Sequence, residues 1–224
     1  MSASAAQPAD AQRTDARRGR GVQRENTRAR LIAATVELLG ARSLDALSAT
    51  DIAATAGLSN AAFYVYFRDV HAAVLAAVES VAQLPAGIVE LAAQPWTAQD
   101  ADSSVDAFLA GYFAHWDAWR PVLRARNLAA EEGRPEFVIA RQLGSQVNAD
   151  AWQRQIAAGQ AAGRIPARYE PRPLAHVILA LLERTGAVQR DYDDLGPAWH
   201  AEYTGAVKHT LLAVLGFRRS RRGV

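Results

Sequence analysis

The sequence predicts an all-α fold of about nine helices. Three observations point that way. Apolar residues return every three to four positions over long stretches, as in Leu174, Val177, Ile178, Leu181 and Leu182. No segment sustains the apolar–polar alternation of a half-buried strand. Helix breakers fall at the ends of the periodic stretches, at Gly57, Pro85, Pro121, Gly163 and Pro166.

The chain has 224 residues, half of them hydrophobic, enough for one large domain or two small ones with a sizeable core. It has no cysteine, which excludes a disulfide scaffold, a cysteine nucleophile and thiolate metal sites. The apolar run Ala72 to Val78 falls far short of the ~20 residues of a membrane span. No apolar stretch with a cleavage site follows the N-terminal arginines, so no secretory signal is read there. The expectation is a soluble intracellular protein that does not engage a membrane. Charge is uneven along the chain. Residues 1–30 hold seven Arg against three acids, residues 31–85 two Arg against five acids, and residues 218–224 four Arg and no acid. Basic ends on a mildly acidic body are either solvated tails or arms that touch nucleic acid.

Residues 1–22 are rich in Ala, Ser, Gln, Gly and Arg and carry no hydrophobic period, so a disordered basic arm is expected. Leu31, Ile32, Thr35, Leu38 and Leu39 then mark a first helix ending near Gly40. Ser48 with Asp51 three residues on forms a capping box for a short helix that Gly57 ends. Ser59 caps a second short helix holding Phe63, Tyr64, Tyr66 and Phe67. Asp69 caps a longer one that stops before Pro85. Further helices are predicted over 103–119, ended by Pro121, and over 135–159, 173–190 and 197–215. The domains expected are a basic arm (1–22), a helix-turn-helix unit (23–85), a larger helical unit (86–217) and a basic tail (218–224).

The informative stretch runs from Ser48 to Phe67. Two short helices meet at Ala56-Gly57-Leu58, where Gly57 supplies the backbone freedom of a sharp turn. Leu58 is apolar where the turn packs inward, and Ala53 is small where helices cross. The second helix opens with Ser59, Asn60, Ala61 and Ala62, small enough to enter a major groove. Asn60 suits adenine, and Ala61 and Ala62 suit thymine methyls. This is helix-turn-helix chemistry. The blocks Thr50-Asp51-Ile52-Ala53, Ala56-Gly57-Leu58-Ser59 and Phe63-Tyr64-x-Tyr66-Phe67 resemble the TetR family of bacterial transcriptional regulators over residues 25–85. The resemblance implies a DNA-reading unit followed by a ligand-binding and dimerisation domain, acting as a cytoplasmic, nucleoid-associated homodimer on a palindromic double-stranded operator. It also implies phosphate contacts from Tyr64 and Tyr66. Ser48, Thr50 and Ser59 stand at helix N-termini, which favour phosphate. The chain departs from the family pattern at Val70, where a Lys is usual. Phosphate affinity must then come from backbone N–H groups, from Arg42 and Arg68, and from arm residues such as Arg18, Arg20, Arg24 and Arg28.

In the larger unit Phe108, Tyr112, Trp116 and Trp119 fall at i, i+4, i+8 and i+11 on one helix face, with Phe113 beside them and Trp152 further on. Such a stripe is either core or the wall of a ligand cavity. Together with Leu181-Leu182-Glu183-Arg184-Thr185 it resembles the ethionamide-resistance repressor (EthR-like) subgroup. That implies a small apolar effector held by these aromatics, Leu179 and Glu183. Glu183, beside an apolar stripe, needs either a structural partner or a ligand. The histidines at 71, 115, 176, 200 and 209 lack metal-ligand spacing, and no nucleophile elbow, P-loop or dinucleotide fingerprint is present. No enzyme activity and no cofactor are therefore expected. A ligand-independent architectural DNA-binding protein and a helical enzyme are the other classes considered. The dimer surface is expected on the last two long helices, 173–190 and 197–215.

Overall fold

In the computed structural model the backbone is described for residues 8–217 and the side chains from Gly21 to Phe217. Among these residues there are nine α-helices, two short 3-10 segments and no strand. The tail predicted over 218–224 lies outside them. No single helix among them is long and apolar enough to cross a membrane. The chain divides into two compact units, residues 1–77 and 78–224.

The first unit contains α1 (Pro8–Ala41), α2 (Ala49–Thr55), α3 (Asn60–Tyr66) and most of α4 (Val70–Val81). Its core is Leu31, Ala34 and Leu39 of α1, Ile52 and Ala53 of α2, Phe63 of α3, and Phe67, Ala73 and Val74. Burial of these side chains is what makes seven-residue helices persist, since isolated helices of that length are marginal in water. Of the disordered arm expected over 1–22, residues 8–22 lie instead in α1, and residues 1–7 lie outside the described residues. Apolar periodicity reports a buried face, not helicity, and Ala, Arg and Gln are strong helix formers that need no core contact. Leu58, expected in the core, is only half-buried.

The second unit comprises the end of α4, α5 (Ala86–Ala93), α6 (Ala101–Glu131), α7 (Pro135–Ala161), α8 (Pro171–Val188) and α9 (Gly196–Val214). Helix α7 packs against α5, α6 and α8, and α9 packs on α6. Phe108, Leu109, Phe137, Trp152, Ile156, Ile178, Leu182 and Leu211 fill the centre. Sequence reading passed over α5, whose eight residues are too few for a period to show. It also ended a helix at Pro121, whereas α6 runs through Pro121 to Glu131. Proline removes one helical hydrogen bond, at a cost of about 3 kcal/mol. Burial of Trp116, Val122, Leu123, Ala125 and Ala129 on either side offsets that loss. Arg120 adds to it by donating to the carbonyls of Ala187 (2.7 Å) and Gly186 (3.2 Å) at the end of α8. On α8 the expected apolar stripe is narrower than predicted. Ala175, Ile178 and Leu182 are buried, whereas Val177 is 60% exposed.

Candidate functional site

The first unit holds the short helix α3, framed by two side-chain caps and one tight turn. Ser48 Oγ accepts from the Asp51 N–H at 3.1 Å and donates to its carboxylate at 2.7 Å, so the capping box forms at the start of α2. Helix α2 ends in a Schellman pair, Gly57 N–H to Ala54 carbonyl and Leu58 N–H to Ala53 carbonyl. Gly57 has φ of 66°, in the left-handed region that disfavours a side chain. Arg30 of α1 donates to the Ala56 carbonyl and fastens this turn. Ser59 Oγ then accepts from the Ala62 N–H at 3.2 Å, and α3 begins. Phe63 is fully buried and anchors α3, leaving Asn60, Ala61, Tyr64 and Val65 exposed on its other side.

The cations and hydroxyls of this unit are not equally free. Arg42 pairs with Asp51 at 3.0 Å, and Arg68 with Asp69 at 3.1 Å, both on the surface. Such pairs are worth about 0–1 kcal/mol, so a phosphate can replace the acid. The Ser48 hydroxyl first, and then Arg42, hold the Asp51 carboxyl below its ordinary range. Arg28 lies over the Phe67 ring, 5.4 Å from its centre. Arg24, Thr50 and Ser59 are exposed and Tyr66 is half-buried. Arg18 and Arg20 lie on α1, but their side chains are outside the described residues.

The second unit contains a small cleft of about 60 Å³. Helix α6 contributes Tyr112, His115, Trp116, Leu123 and Arg126; α7 contributes Arg141, Gly144, Ser145 and Asn148; α8 contributes Leu179 and Glu183; and Ala82 and Leu84 close it after α4. Trp116 Nε1 donates to the Tyr112 hydroxyl at 2.9 Å. Burial raises the Tyr112 phenol well above its usual range, so it stays a neutral acceptor. Arg126, almost wholly buried, donates to Glu183 at 2.6 Å and to the Asn127 side chain at 2.9 Å. Burial lowers the Arg126 guanidinium pKa, and the Glu183 charge pulls it part of the way back. Burial likewise lowers His115, against a hydrogen bond to the Val81 backbone, so the imidazole is neutral near pH 7.

The predicted aromatic wall divides in two. Tyr112 and Trp116 line the cleft, as do Leu179 and Glu183. Phe108 and Trp152 do not: their rings meet edge to face at 5.0 Å, and Trp152 meets Trp96 the same way at 5.8 Å, which makes them packed core. Phe113 is buried and Trp119 half-buried, and neither reaches the cleft. Sequence reading missed His115, Leu123, Arg126 and Arg141. The first three share the face of Tyr112 and Trp116, at i+3, i+11 and i+14 from Tyr112; breaking the helix at Pro121 hid the last two.

Comparison with known proteins accords with this layout. Residues 31–74 match the family model described as bacterial regulatory proteins, tetR family, and residues 88–217 match the model described as tetracyclin repressor-like, C-terminal domain. Among curated proteins, none matches the chain. Solved structures share the fold. The fatty acid degradation regulator FadR from Bacillus halodurans is 15% identical, with a TM-score of 0.63 over 87% of this chain and 97% of its own. The MbdR regulator from Azoarcus sp. CIB is 17% identical, with a TM-score of 0.63 over 87% of this chain and 100% of its own. A TetR/AcrR family regulator from Thermobifida fusca is 23% identical, with a TM-score of 0.57 over 87% and 100%. With a family model spanning more than half its length, a second on its helix-turn-helix and the same fold in these regulators, the chain belongs to the TetR family of bacterial transcriptional regulators, with an N-terminal DNA-binding domain.

Proposed function

We propose that this regulator is a repressor that binds a palindromic operator as a homodimer and leaves it when a small apolar effector enters the cleft beside Trp116. The observation that carries the DNA half is the face of α3: Asn60, Ala61, Tyr64 and Val65 stand exposed on a helix whose opposite side is pinned by Phe63. A helix presenting an amide and a small residue at its start fits the major groove without clash. In this reading Asn60 and Ala61 meet base edges. Tyr64, Tyr66, Ser48, Thr50, Ser59, Arg24, Arg28, Arg42 and Arg68 meet phosphates. Two such helices, about 34–36 Å apart or a multiple of that, read two half-sites.

The effector half rests on the cleft, whose wall combines Trp116, Leu123 and Leu179 with polar groups. An effector lying among α6, α7 and α8 is what the likeness to the ethionamide-resistance repressor subgroup implies. Its binding would favour a conformation with misplaced reading helices. Such a protein works at the bacterial nucleoid, in the cytoplasm. Selection of the full-length protein against random duplexes tests the reading: it should return an inverted repeat. Recovery of DNA without sequence enrichment would favour the architectural alternative. A second arm removes residues 1–22. The slope of log K against log salt should become shallower by ~0.9 for each phosphate that these residues neutralise.

A further inference from the structure

The cleft beside Trp116 holds more positive charge than its own acid neutralises. Arg126 and Arg141 both line it, and Glu183 is its one carboxylate. Arg126 is committed to Glu183 and Asn127. Arg141 is half-buried yet makes no hydrogen bond or ion pair among the described residues. It is close enough to Arg126 for the two charges to repel. It also lines a second hollow of about 250 Å³ with Glu131, Glu183, Asp191, Arg124 and Arg184, where Arg124 is paired with Asp191 at 3.5 Å and Glu183 with Arg126. Asn148, two turns along the same face of α7, is half-buried and also without a partner among the described residues. A half-buried guanidinium with no hydrogen bond or ion pair among the described residues is free to take up an arriving anion. Its planar fork matches a carboxylate in two parallel hydrogen bonds. Trp116, Leu123 and Leu179 supply apolar lining to the same cleft.

We propose that the effector is an amphipathic organic anion, a carboxylate on an apolar body. Arg141 grips the carboxylate with Asn148 donating beside it, and the body lies against Trp116, Leu123 and Leu179. This rests on the reading of the cleft as the effector site. Arg141 thereby becomes the specificity residue of that site, while Arg126 and Glu183 neutralise each other and hold the wall.

Calorimetric titration of the full-length protein tests it, with carboxylates from butanoate to decanoate and benzoate, each beside its matching neutral alcohol. At the best-fitting body the carboxylate should bind ~10–100-fold more tightly than the alcohol. Arg141→Gln should bring that ratio close to one by weakening binding of the carboxylate, without lowering the melting temperature, since Arg141 makes no hydrogen bond or ion pair among the described residues. If the alcohol binds as well as the carboxylate, the anion assignment is overturned and the cleft survives as an effector site. If the preference persists in Arg141→Gln, the role of Arg141 is overturned. If neither series binds, with no heat and no change in melting temperature, the effector reading and this inference fall together.

Discussion

In the reading unit the caps and the turn that shape the site join close neighbours. Ser48 meets Asp51, Ser59 meets Ala62, Gly57 meets Ala54, and Arg42 reaches Asp51 across nine positions. In the second unit the partners are far apart. Arg126 and Glu183 are separated by 57 positions, Gln155 and Trp96 by 59, and Arg120 and Gly186 by 66. The first site is assembled by helix caps and one turn, and its exposed face follows from that local frame. The second is assembled by three long helices, and each wall residue depends on what the neighbouring helix brings. A cap therefore fails singly and mildly, whereas a wall residue fails with its neighbours.

Trp152→Ala should produce the largest effect, a loss of about 3–5 kcal/mol in denaturant unfolding at fixed protein concentration, because the ring is fully enclosed between Phe108 and Trp96. Trp116→Ala should cost less, since part of its ring faces the cleft and already lacks packing partners. Equal losses would mean that the two aromatics do not differ and that the cleft is closed core.

Gly186→Ala probes the same contrast. A Cβ there would lie 2.5 Å from the Trp116 indole, so the ring must move. The expected loss is about 1–3 kcal/mol, overriding the gain in helix propensity, with a shifted tryptophan emission and weakened effector binding. A variant more stable than the wild type would show that Trp116 is not seated as described.

Asn60→Ala tests the reading unit where it should be energetically independent of the fold. The side chain is exposed, so the melting temperature should stay put while discrimination against a mutated operator falls by about 1–3 kcal/mol in competition binding. Full retention of operator preference would remove Asn60 from the base-reading set. Ser59→Ala, which deletes only the cap on α3, should cost about 0.5–2 kcal/mol of stability. Ser59→Gly should cost only a few tenths of that unit.

The smallest effect concerns acidity. The His115 pKa is lowered in the fold by burial, so below pH ~6.5 the unfolded chain takes up a proton that the folded chain resists. That contribution is intact above pH ~6.5 and declines as the pH falls toward the folded value. His115→Gln should reduce the difference in melting temperature between pH 7.5 and pH 5.5. An unchanged difference would place the acid sensitivity elsewhere.

Residue type and spacing were enough to establish the all-helical class, the helix-turn-helix, the caps at Ser48, Ser59 and Asp69, and the turn at Gly57. The caps and the turn are interactions over three to five positions, within reach of a reading along the chain. Packing between distant helices settled which members of the aromatic stripe became core and which became wall, because a period of 3.6 identifies a face without saying what the face will meet. It also settled that Glu183 pairs with Arg126, that Arg141 has no ion-pair partner among the described residues, and that α6 continues through Pro121. These outcomes rest on burial shared among helices distant in sequence. That shared burial outweighs a local cost such as the missing hydrogen bond at Pro121, which the sequence alone can only count against the helix.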